Sequence, residues 1–195
     1  MICVVKLGGS LHRDRRLLEW LAMLSDQGRG RVVIVPGGGP YADAVRAEQA
    51  FWKFSDAHAH RLAVLAMEQF ALQLHALNPR FTLAESRSEI SNCLAENRAA
   101  LWRPSAMVLS AGEIPTTWNT TSDSIAAWLA NSLNADKLML VKSCEIEDSM
   151  GLAEWANRNI IDHDFITTTH GARYSIHVLS VTQMERARTL ITTAN

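Results

Sequence analysis

Two short apolar runs, each followed at once by glycines, constrain the fold of this chain more than any other feature. Residues 2–5 lead into Lys6 and the glycines at 8–9, and residues 31–35 lead into the glycines at 37–39. An apolar run without polar alternation is typical of a strand covered on both faces. A glycine turn that opens a helix brings unpaired backbone N–H groups close to an anion. The pattern therefore predicts two phosphate-binding loops at the ends of two buried strands.

Strand-like and helix-like segments alternate along the whole chain, and their order predicts the fold class. Alternating strands and helices indicate a mostly parallel sheet with helices on both faces. Residues 149–164 are polar and mixed, and fit either a loop or a covering segment. Strands are predicted at residues 2–6, 31–35, 81–85, 106–112, 137–142 and 175–181. Helices are predicted at residues 11–25, 40–51, 56–77, 88–98, from a cap at 120–123 to Leu133, and at 182–192.

Composition narrows the class of protein. The chain has 195 residues, of which 48% are hydrophobic, so it suits a single domain with a substantial core. A net charge of −1 provides no global field for nucleic acid or an anionic membrane, so an anion must be held locally. The three cysteines lie far apart, which favours buried thiols in a reducing compartment. No membrane-length apolar run or signal-peptide pattern is present, and we expect a cytoplasmic protein.

Several residues that can carry chemistry lie at predicted strand ends, where parallel sheets bind ligands. A lysine within an apolar segment rarely lies there without an anionic partner. Two lysines at equivalent strand ends favour a phosphate clamp, although the second alone could extend to solvent at the sheet edge. The residues at these predicted ends are Lys6, Gly8, Gly37, Ser110, Gly112 and Lys142.

Asp123 and the glycines at 37–39 each admit a structural and a functional interpretation. Asp123 could simply favour the helix dipole, worth about 0.3–1 kcal/mol. Because Thr121 and Ser122 already offer caps, we favour a role in orienting lysines or holding Mg²⁺. The three glycines could form a flexible connector, but ordering each costs roughly 0.5–1 kcal/mol relative to alanine. A loop whose N–H groups surround an anion has a reason to bear that cost.

Two side chains with rings are candidate substrate contacts. On a helical wheel His60 lies nearer the apolar face than His58, so it is either a partly buried histidine or a contact to the substrate. Trp118 immediately precedes the segment that caps the Asp123 helix. It could form the wall of a pocket against an aromatic substrate.

Taken together, four segments resemble the amino acid kinase superfamily, which includes aspartate, glutamate, carbamate, uridylate and isopentenyl phosphate kinases. The segments are residues 5–10, 35–39, 122–127 and 140–143, and they occur in the order typical of the family. Each segment alone is a weak signal, whereas the combination is specific.

The resemblance implies a three-layer α/β/α sandwich with a mostly parallel central sheet. It also implies an acceptor half at roughly residues 1–135 and a reduced nucleotide half at roughly 136–195. ATP and Mg²⁺ would be the cofactors and a small anionic molecule the substrate, and we expect a homo-oligomer. Lys6, Asp123 and Lys142 would be catalytic, with Asp123 orienting the lysines. Phosphates would be held by Lys6, Gly8, Gly9, Ser10, Lys142 and Ser143, and the acceptor by Gly37, Gly38, Gly39, His60, Ser122 and Asp123.

Residues 55–69 and 118–130 are similar to a small branch of this superfamily that makes the aminomethylfuran diphosphate of methanofuran-type cofactors. Such enzymes transfer the γ-phosphate of ATP to a phosphomonoester, giving a diphosphate. The same two loops could instead hold a carboxylate or a carbamate in another kinase of the superfamily. A third alternative is a non-catalytic protein that binds an anion or nucleotide and regulates or scaffolds a partner.

After Lys142 the sequence departs from the pattern of the superfamily. Many members continue with an acidic loop of the type Asp-Val-Asp-Gly, whereas residues 143–151 read Ser-Cys-Glu-Ile-Glu-Asp-Ser-Met-Gly. The late glycine-rich loop with a lysine, found in many members, has no counterpart here. We therefore expect an altered nucleotide half.

Overall fold

Six parallel strands form one sheet in the part of the chain that the computed structural model describes, residues 1–147 and 150–193. The strand order is β3-β4-β2-β1-β5-β6, so β1 lies in the middle between β2 and β5. In the register, Val5 of β1 lies opposite Ile34 on one side and Met139 on the other. The strands are β1 (Cys3–Leu7), β2 (Val32–Pro36), β3 (Thr82–Ala84), β4 (Ala100–Trp102), β5 (Lys137–Lys142) and β6 (Ser175–Ser180).

Helices connect the strands, as parallel pairing requires. A 3₁₀ turn at Gly9–Arg13 follows β1 directly, and the long helix that was expected at residues 56–77 has those bounds. No helix among the described residues is both long and apolar enough to span a membrane. The helices are α1 (Arg16–Gln27), α2 (Gly39–Trp52), α3 (Asp56–Leu77), α4 (Arg87–Ala95), α5 (Ser105–Val108), α6 (Ser122–Ser132), α7 (Leu152–Asn157), α8 (Phe165–Thr169) and α9 (Met184–Thr192).

Alternating side chains of the central strands fill two core layers, one on each face of the sheet. Val4 and Leu140 belong to the layer that includes Ile125 of α6 and Phe165 of α8. Their strand neighbours, such as Val5, belong to the layer formed with α1 and α9. Lys6 and Lys142 lie two residues after Val4 and Leu140. By the alternation of side chains they therefore project towards α6, on the same face of the sheet.

Five of the predicted strands agree closely with β1, β2, β3, β5 and β6, but the strand predicted at residues 106–112 is wrong. That segment forms the short helix α5 and a turn, whereas the fourth strand is the three-residue β4, which pairs with β2 and β3. The physical reason is that the segment follows Pro104 and packs Val108 onto the core through a helical turn. β4 itself, at Ala100–Trp102, was not predicted.

Two smaller expectations also change. Ser110 and Gly112 do not lie at a strand end, and the Ser110 hydroxyl donates back to the carbonyls of Ala106 and Met107 in the preceding helix α5. Cys3 and Cys93 are buried as expected, but Cys144 is exposed because it lies in the loop after β5. For residues 149–164 the sequence fitted either a loop or a covering segment, and α7 within it does cover the first core layer. Ser149 lies outside the described residues.

Candidate active site

Two lysines and one aspartate form a buried cluster at the carboxyl edge of the sheet. Lys6 lies near the end of β1 and Lys142 ends the adjacent β5, while α6 supplies Asp123 in its first turn. Lys6 Nζ lies 2.9 Å from Asp123 Oδ1, and Lys142 Nζ donates to Asp123 Oδ2 at 2.6 Å. The side chains of Lys6, Asp123 and Lys142 are only 6%, 5% and 12% exposed. Asp123 therefore binds both lysines away from bulk water.

The charges of this cluster do not balance. Burial alone would raise the pKa of Asp123, but the ammonium groups of Lys142 and Lys6 outweigh burial and lower it to about 2. Burial lowers the pKa of Lys142, and Lys6 lowers it further, against the opposing effect of Asp123. Among the groups in direct contact, one carboxylate lies between two ammonium groups, which leaves an excess positive charge. Because an unpaired buried charge is unfavourable, the cluster is suited to an anionic ligand.

The two glycine loops pack directly against each other beside this cluster. A Cβ on Gly9 would lie 2.2 Å from the backbone nitrogen of Gly39, and a Cβ on Gly37 would lie 2.3 Å from that of Gly9. Both positions therefore require glycine for this close approach of the backbones. Gly39 has a φ of +56°, in the left-handed region that glycine adopts most readily. Loop packing thus explains part of the glycine content that we had attributed to anion binding alone.

Backbone donors and hydroxyl groups line the space between the loops. Gly8 N–H donates to the carbonyl of Val141, which joins the first loop to β5. The hydroxyls of Ser10 and Ser143 lie 2.9 Å apart, so the loop after β5 contacts the first loop. At the start of α2, the N–H groups of Gly38 and Gly39 have no acceptor within the helix. They lie at the positive end of the helix dipole, which favours an anion.

A cavity of about 270 Å³ lies between the glycine loops, α2, α3 and the start of α6. Its floor is apolar and includes Val64, Met67 and Ile125. Burial lowers the pKa of His60, which also lines the cavity, so its imidazole is neutral at neutral pH. The other lining residues are Gly9, Ser10, Gly38, Gly39, Ala42, Asp43, Arg46, Asp56, Ala63, Thr117, Trp118, Thr120, Thr121 and Ser122.

Trp118 forms one wall of the cavity and is held in place from two sides. Its indole N–H donates to Gln49 Oε1 at 2.5 Å, and the Arg46 guanidinium lies 3.9 Å from the ring centroid. Gln49 in turn donates to Asp56 Oδ1 at 2.7 Å, which ties α2 to the start of α3. These contacts order a large aromatic surface against the cavity.

The structure thus brings most of the predicted site residues together. Lys6, Asp123 and Lys142 are in direct contact, and Ser143 touches Ser10. Gly8 and Gly37 do not line the cavity, and their N–H groups hold the two loops to β5 and β1 by hydrogen bonds. The predicted residues that line the cavity itself are Gly9, Ser10, Gly38, Gly39, His60 and Ser122. Their catalytic and binding roles stay predictions.

Sequence reasoning missed several polar residues at the site. Arg46 carried a usable signal, because it follows Gly39 by seven residues on α2 and therefore lies on the same helix face. Asp43 and Asp56 lie near the cavity mouth and are exposed. Asp162 contacts the first turn of α6 from a segment whose sequence gave no local signal.

Comparison with known proteins agrees with this architecture. The sequence profile of the amino acid kinase family matches residues 1–145, and this chain belongs to that family. A relative is the [5-(aminomethyl)furan-3-yl]methyl phosphate kinase of Methanocaldococcus jannaschii, 28% identical over 141 residues. The match covers 70% of this chain and 63% of the relative, less than two thirds of the relative's length.

Solved structures show the same fold at low sequence identity. Uridylate kinase from Archaeoglobus fulgidus has a TM-score of 0.72 at 16% identity, with 98% of this chain and 95% of that chain covered. UMP kinase from Ureaplasma parvum has a TM-score of 0.70 at 12% identity, covering 100% and 96%. Aspartate kinase from Synechocystis has a TM-score of 0.68 at 13% identity, covering 94% and 38%. The expected α/β/α sandwich with a parallel central sheet is confirmed.

Proposed function

We propose that this protein is a phosphotransferase that moves the γ-phosphoryl group of ATP to a small phosphomonoester, giving a diphosphate and ADP. The observation that carries the proposal is the buried Lys6–Asp123–Lys142 cluster, whose excess positive charge adjoins a cavity bounded by two glycine loops. Membership of the amino acid kinase family supports the reaction class. The named relative supports the type of acceptor.

The proposed reaction is an in-line displacement at phosphorus. An oxygen of the acceptor phosphate attacks the γ-phosphorus of ATP, and the bond from that phosphorus to the β,γ-bridging oxygen breaks. The electron pair of that bond leaves with ADP. We assign Lys6 and Lys142 to neutralising the negative charge on the transferring group, with loop N–H groups as fixed donors. Asp123 keeps the two ammonium groups in place.

The cluster lacks a carboxylate free to act as a base, and a phosphate acceptor needs none. Each oxygen of Asp123 contacts an ammonium group, and its pKa of about 2 makes it a poor proton acceptor. A phosphomonoester has a second pKa near 6, so its attacking oxygen is already ionised at neutral pH. An alcohol acceptor would need its proton removed. The site therefore favours an acceptor that arrives as an oxyanion.

The cavity beside the cluster suits a single-ring acceptor with opposite charges at its two ends. Its volume of about 270 Å³ is at the small end for ligand sites. We propose that the acceptor phosphate binds at the Gly38–Gly39 end, while the ring lies between Trp118 and the apolar floor. The carboxylates of Asp43 or Asp56 would then meet an ammonium group. An aminomethylfuran phosphate has this arrangement, in agreement with the acceptor named for the relative.

We propose that the nucleotide phosphates lie near Lys6, Ser10, Lys142 and Ser143. No group of three or more His, Cys, Asp or Glu side chains within residues 1–147 and 150–193 could hold a metal ion. Both oxygens of Asp123 are already occupied by lysines. These residues do not fit a protein-held ion, so any Mg²⁺ would have to be carried by the phosphates of ATP.

A cytoplasmic location and self-association complete the proposal. The surface to examine for a second copy lies where α2 meets α3, because Phe51 and Trp52 are 74% and 68% exposed there. Light scattering after size-exclusion chromatography measures the oligomeric state directly, for the unmodified chain and for a Phe51→Ser variant. A mass that equals one chain at all concentrations would contradict self-association.

A substrate panel tests the proposed reaction. Purified protein is incubated with ATP and Mg²⁺ and, separately, with an aminomethylfuran phosphate, UMP, aspartate and carbamate. We expect ADP and the diphosphate of the acceptor to form in equal amounts, the latter measured by its own phosphorus NMR signals. The furan phosphate should react most rapidly. Asp43→Asn and Asp56→Asn report on the ammonium contact. One of these two variants should raise KM for the aminomethylfuran phosphate. The same variant should leave KM unchanged for a furan phosphate that lacks the amine.

The other possible functions give different results in the same panel. An acyl phosphate formed from aspartate, or carbamoyl phosphate formed from carbamate, would indicate a carboxylate or carbamate kinase. No turnover together with no calorimetric signal at millimolar ATP, in protein that remains folded by circular dichroism, would favour a non-catalytic scaffold. Lys6→Ala is the control that links any observed turnover to this site.

A further inference from the structure

Asp162 accepts four hydrogen bonds from the start of the helix that carries Asp123. Its Oδ2 accepts from the backbone N–H of Thr121 at 2.8 Å, from the Thr121 hydroxyl at 2.7 Å and from the N–H of Ser124 at 3.0 Å. Its Oδ1 accepts from the hydroxyl of Ser124. Asp162 lies beyond residues 1–145, which the family profile matches. It has no part in the function proposed above.

These bonds replace a cap that α6 does not provide for itself. Thr121 is the N-cap residue of α6, but its side chain makes no capping bond. A capping side chain normally accepts from the N–H two or three residues further on. Here the carboxylate of Asp162 accepts from Ser124, the third residue after the cap, from a position 38 residues away in sequence. A negative charge at this end also complements the helix dipole.

The segment that carries Asp162 is itself well anchored. Ile161 and Phe165 on either side are buried in the core layer that contains α6. Thr120 donates its hydroxyl to Asp164 Oδ2 at 2.5 Å, and Asp164 N–H donates to the carbonyl of Asn119 at 3.2 Å. The carboxylate of Asp162 is therefore held by packing on both sides, as a group that fixes another element must be.

We propose that Asp162 is a positioning residue for phosphoryl transfer, which fixes the first turn of α6 and thereby the carboxylate of Asp123 between Lys6 and Lys142. This inference rests on the proposed function, because it assigns Asp162 a part in that same reaction. Asp123 lies between the two residues that Asp162 binds, Thr121 and Ser124. A shift of this turn would move both Asp123 oxygens relative to the lysines, and misplacement by about 1 Å can cost on the order of 10²-fold in rate.

Asp162 also acts electrostatically on Lys142. The charged groups that face Lys142 are Asp123 from α6, Lys6 from β1 and Asp162 from the segment before α8. Burial and Lys6 lower the pKa of Lys142, whereas the carboxylates of Asp123 and Asp162 raise it. Removing the charge of Asp162 removes one of the two groups that favour the ammonium form. The pKa of Lys142 should then fall further.

Two substitutions separate the positioning effect from the charge effect. Asp162→Ala removes both the acceptor oxygens and the charge. Asp162→Asn keeps one oxygen that can accept from Thr121 and Ser124, while its amide can donate to the Ser124 hydroxyl. We expect kcat at neutral pH to fall by about 10²-fold in Asp162→Ala, with KM changed little, and by about tenfold or less in Asp162→Asn. Both variants should lose turnover at a lower pH than the unmodified protein on the alkaline side.

A titration of Lys142 by heteronuclear NMR gives a readout that does not depend on turnover. The Lys142 signal is assigned with a Lys142→Met variant. We expect its pKa to fall in both Asp162 variants. Asp164→Asn is the matched control, since it removes a neighbouring carboxylate from the same segment that does not face Lys142. It should lower thermal stability and leave the titration of Lys142 unchanged.

The outcomes distinguish this inference from the proposed function. If the unmodified protein shows no turnover with any acceptor, the proposed function fails, and the Lys142 titration still reports on the electrostatic effect of Asp162. If the unmodified protein turns over and folded Asp162→Ala retains its kcat and pH profile, the positioning role is wrong. A parallel loss of stability and kcat in Asp162→Ala and Asp164→Asn, without a change in the Lys142 titration, would show a structural role only and also overturn it.

Discussion

The two ends of β5 each carry a lysine, buried in the case of Lys137 and mostly buried in the case of Lys142, and the two side chains have different kinds of partner. Lys137, at the start of the strand, is 2% exposed, and its Nζ donates to the backbone carbonyls of Leu190 and Thr193 at 2.9 Å each. Lys142, at the end of the strand, donates to Asp123 at 2.6 Å. The residues are five positions apart, so they project from opposite faces of the sheet.

The difference between these partners shows which lysine is structural. Carbonyls at the end of α9 have no N–H donor within the helix, and an ammonium group there also complements the negative end of the dipole. Lys137 thus has fixed, neutral partners from the backbone. Lys142 must share one carboxylate with Lys6, and this leaves an excess positive charge at the edge of the sheet where ligands bind. Burial alone therefore does not identify a functional lysine, whereas a place beside a second lysine at the carboxyl edge of the sheet does.

The largest effect should come from Lys6→Ala. Lys6 is the lysine at the first glycine loop, and its loss removes a preorganised charge from the transferring group. We expect kcat to fall by about 10³-fold or more, with the fold retained by circular dichroism. Steady-state kinetics with ATP and the best acceptor measure the change. Turnover within error of the unmodified protein would exclude this cluster as the transfer site.

Lys142→Met should follow with a loss of about 10²-fold in kcat. The methionine keeps much of the apolar stem and removes the ammonium group, so packing at the end of β5 changes little. Asp123 then retains one lysine instead of two. The same kinetic assay applies, and calorimetry with ATP shows whether nucleotide binding weakens in parallel. An unchanged kcat would place Lys142 in the same structural class as Lys137.

Lys137→Met, at the start of β5, should lower stability and leave kcat unchanged. Two part-buried backbone carbonyls would lose a charged donor, which should lower the free energy of unfolding by about 1–3 kcal/mol. Urea denaturation measures the change, and kcat should equal that of the unmodified protein at temperatures where the variant is folded. A loss of kcat in fully folded Lys137→Met would break the distinction between the two lysines.

Sequence reasoning predicted the central strands and the approach of Lys6 to Lys142, because short apolar runs place their ends at one edge of a parallel sheet. The same reasoning predicted Asp123 beside them, and the contacts agree, although the catalytic roles stay predictions. It gave no account of Lys137, whose partners are backbone carbonyls 53 and 56 residues away that no side-chain pattern reveals.

The missed features share a physical cause, which is that tertiary contacts decided them. β4 is three residues long and exists because β2 and β3 pair with it on either side. Asp162 was missed because the groups that it binds, at the start of α6, are 38 and 41 residues away in sequence. By contrast, α3 has a long apolar stripe, and both of its ends were predicted from residues adjacent in sequence.

The smallest expected effect is a pH dependence that belongs to one lysine and not to the other. Burial and Lys6 lower the pKa of Lys142, so its ammonium group is lost at a lower pH than in an ordinary lysine. Turnover should therefore decline on the alkaline side before the usual lysine range, while Asp123, with a pKa of about 2, causes no loss near neutrality.

Two variants assign this alkaline decline in kcat. Lys142→Arg carries a guanidinium that stays charged, so its lower kcat should persist to a higher pH than that of the unmodified protein. Folded Lys137→Met should keep the unmodified profile, because Lys137 lies on the other face of the sheet. A decline that is unchanged in Lys142→Arg would assign the titration to another group. A decline that shifts in Lys137→Met would show that the two ends of β5 are coupled through the strand.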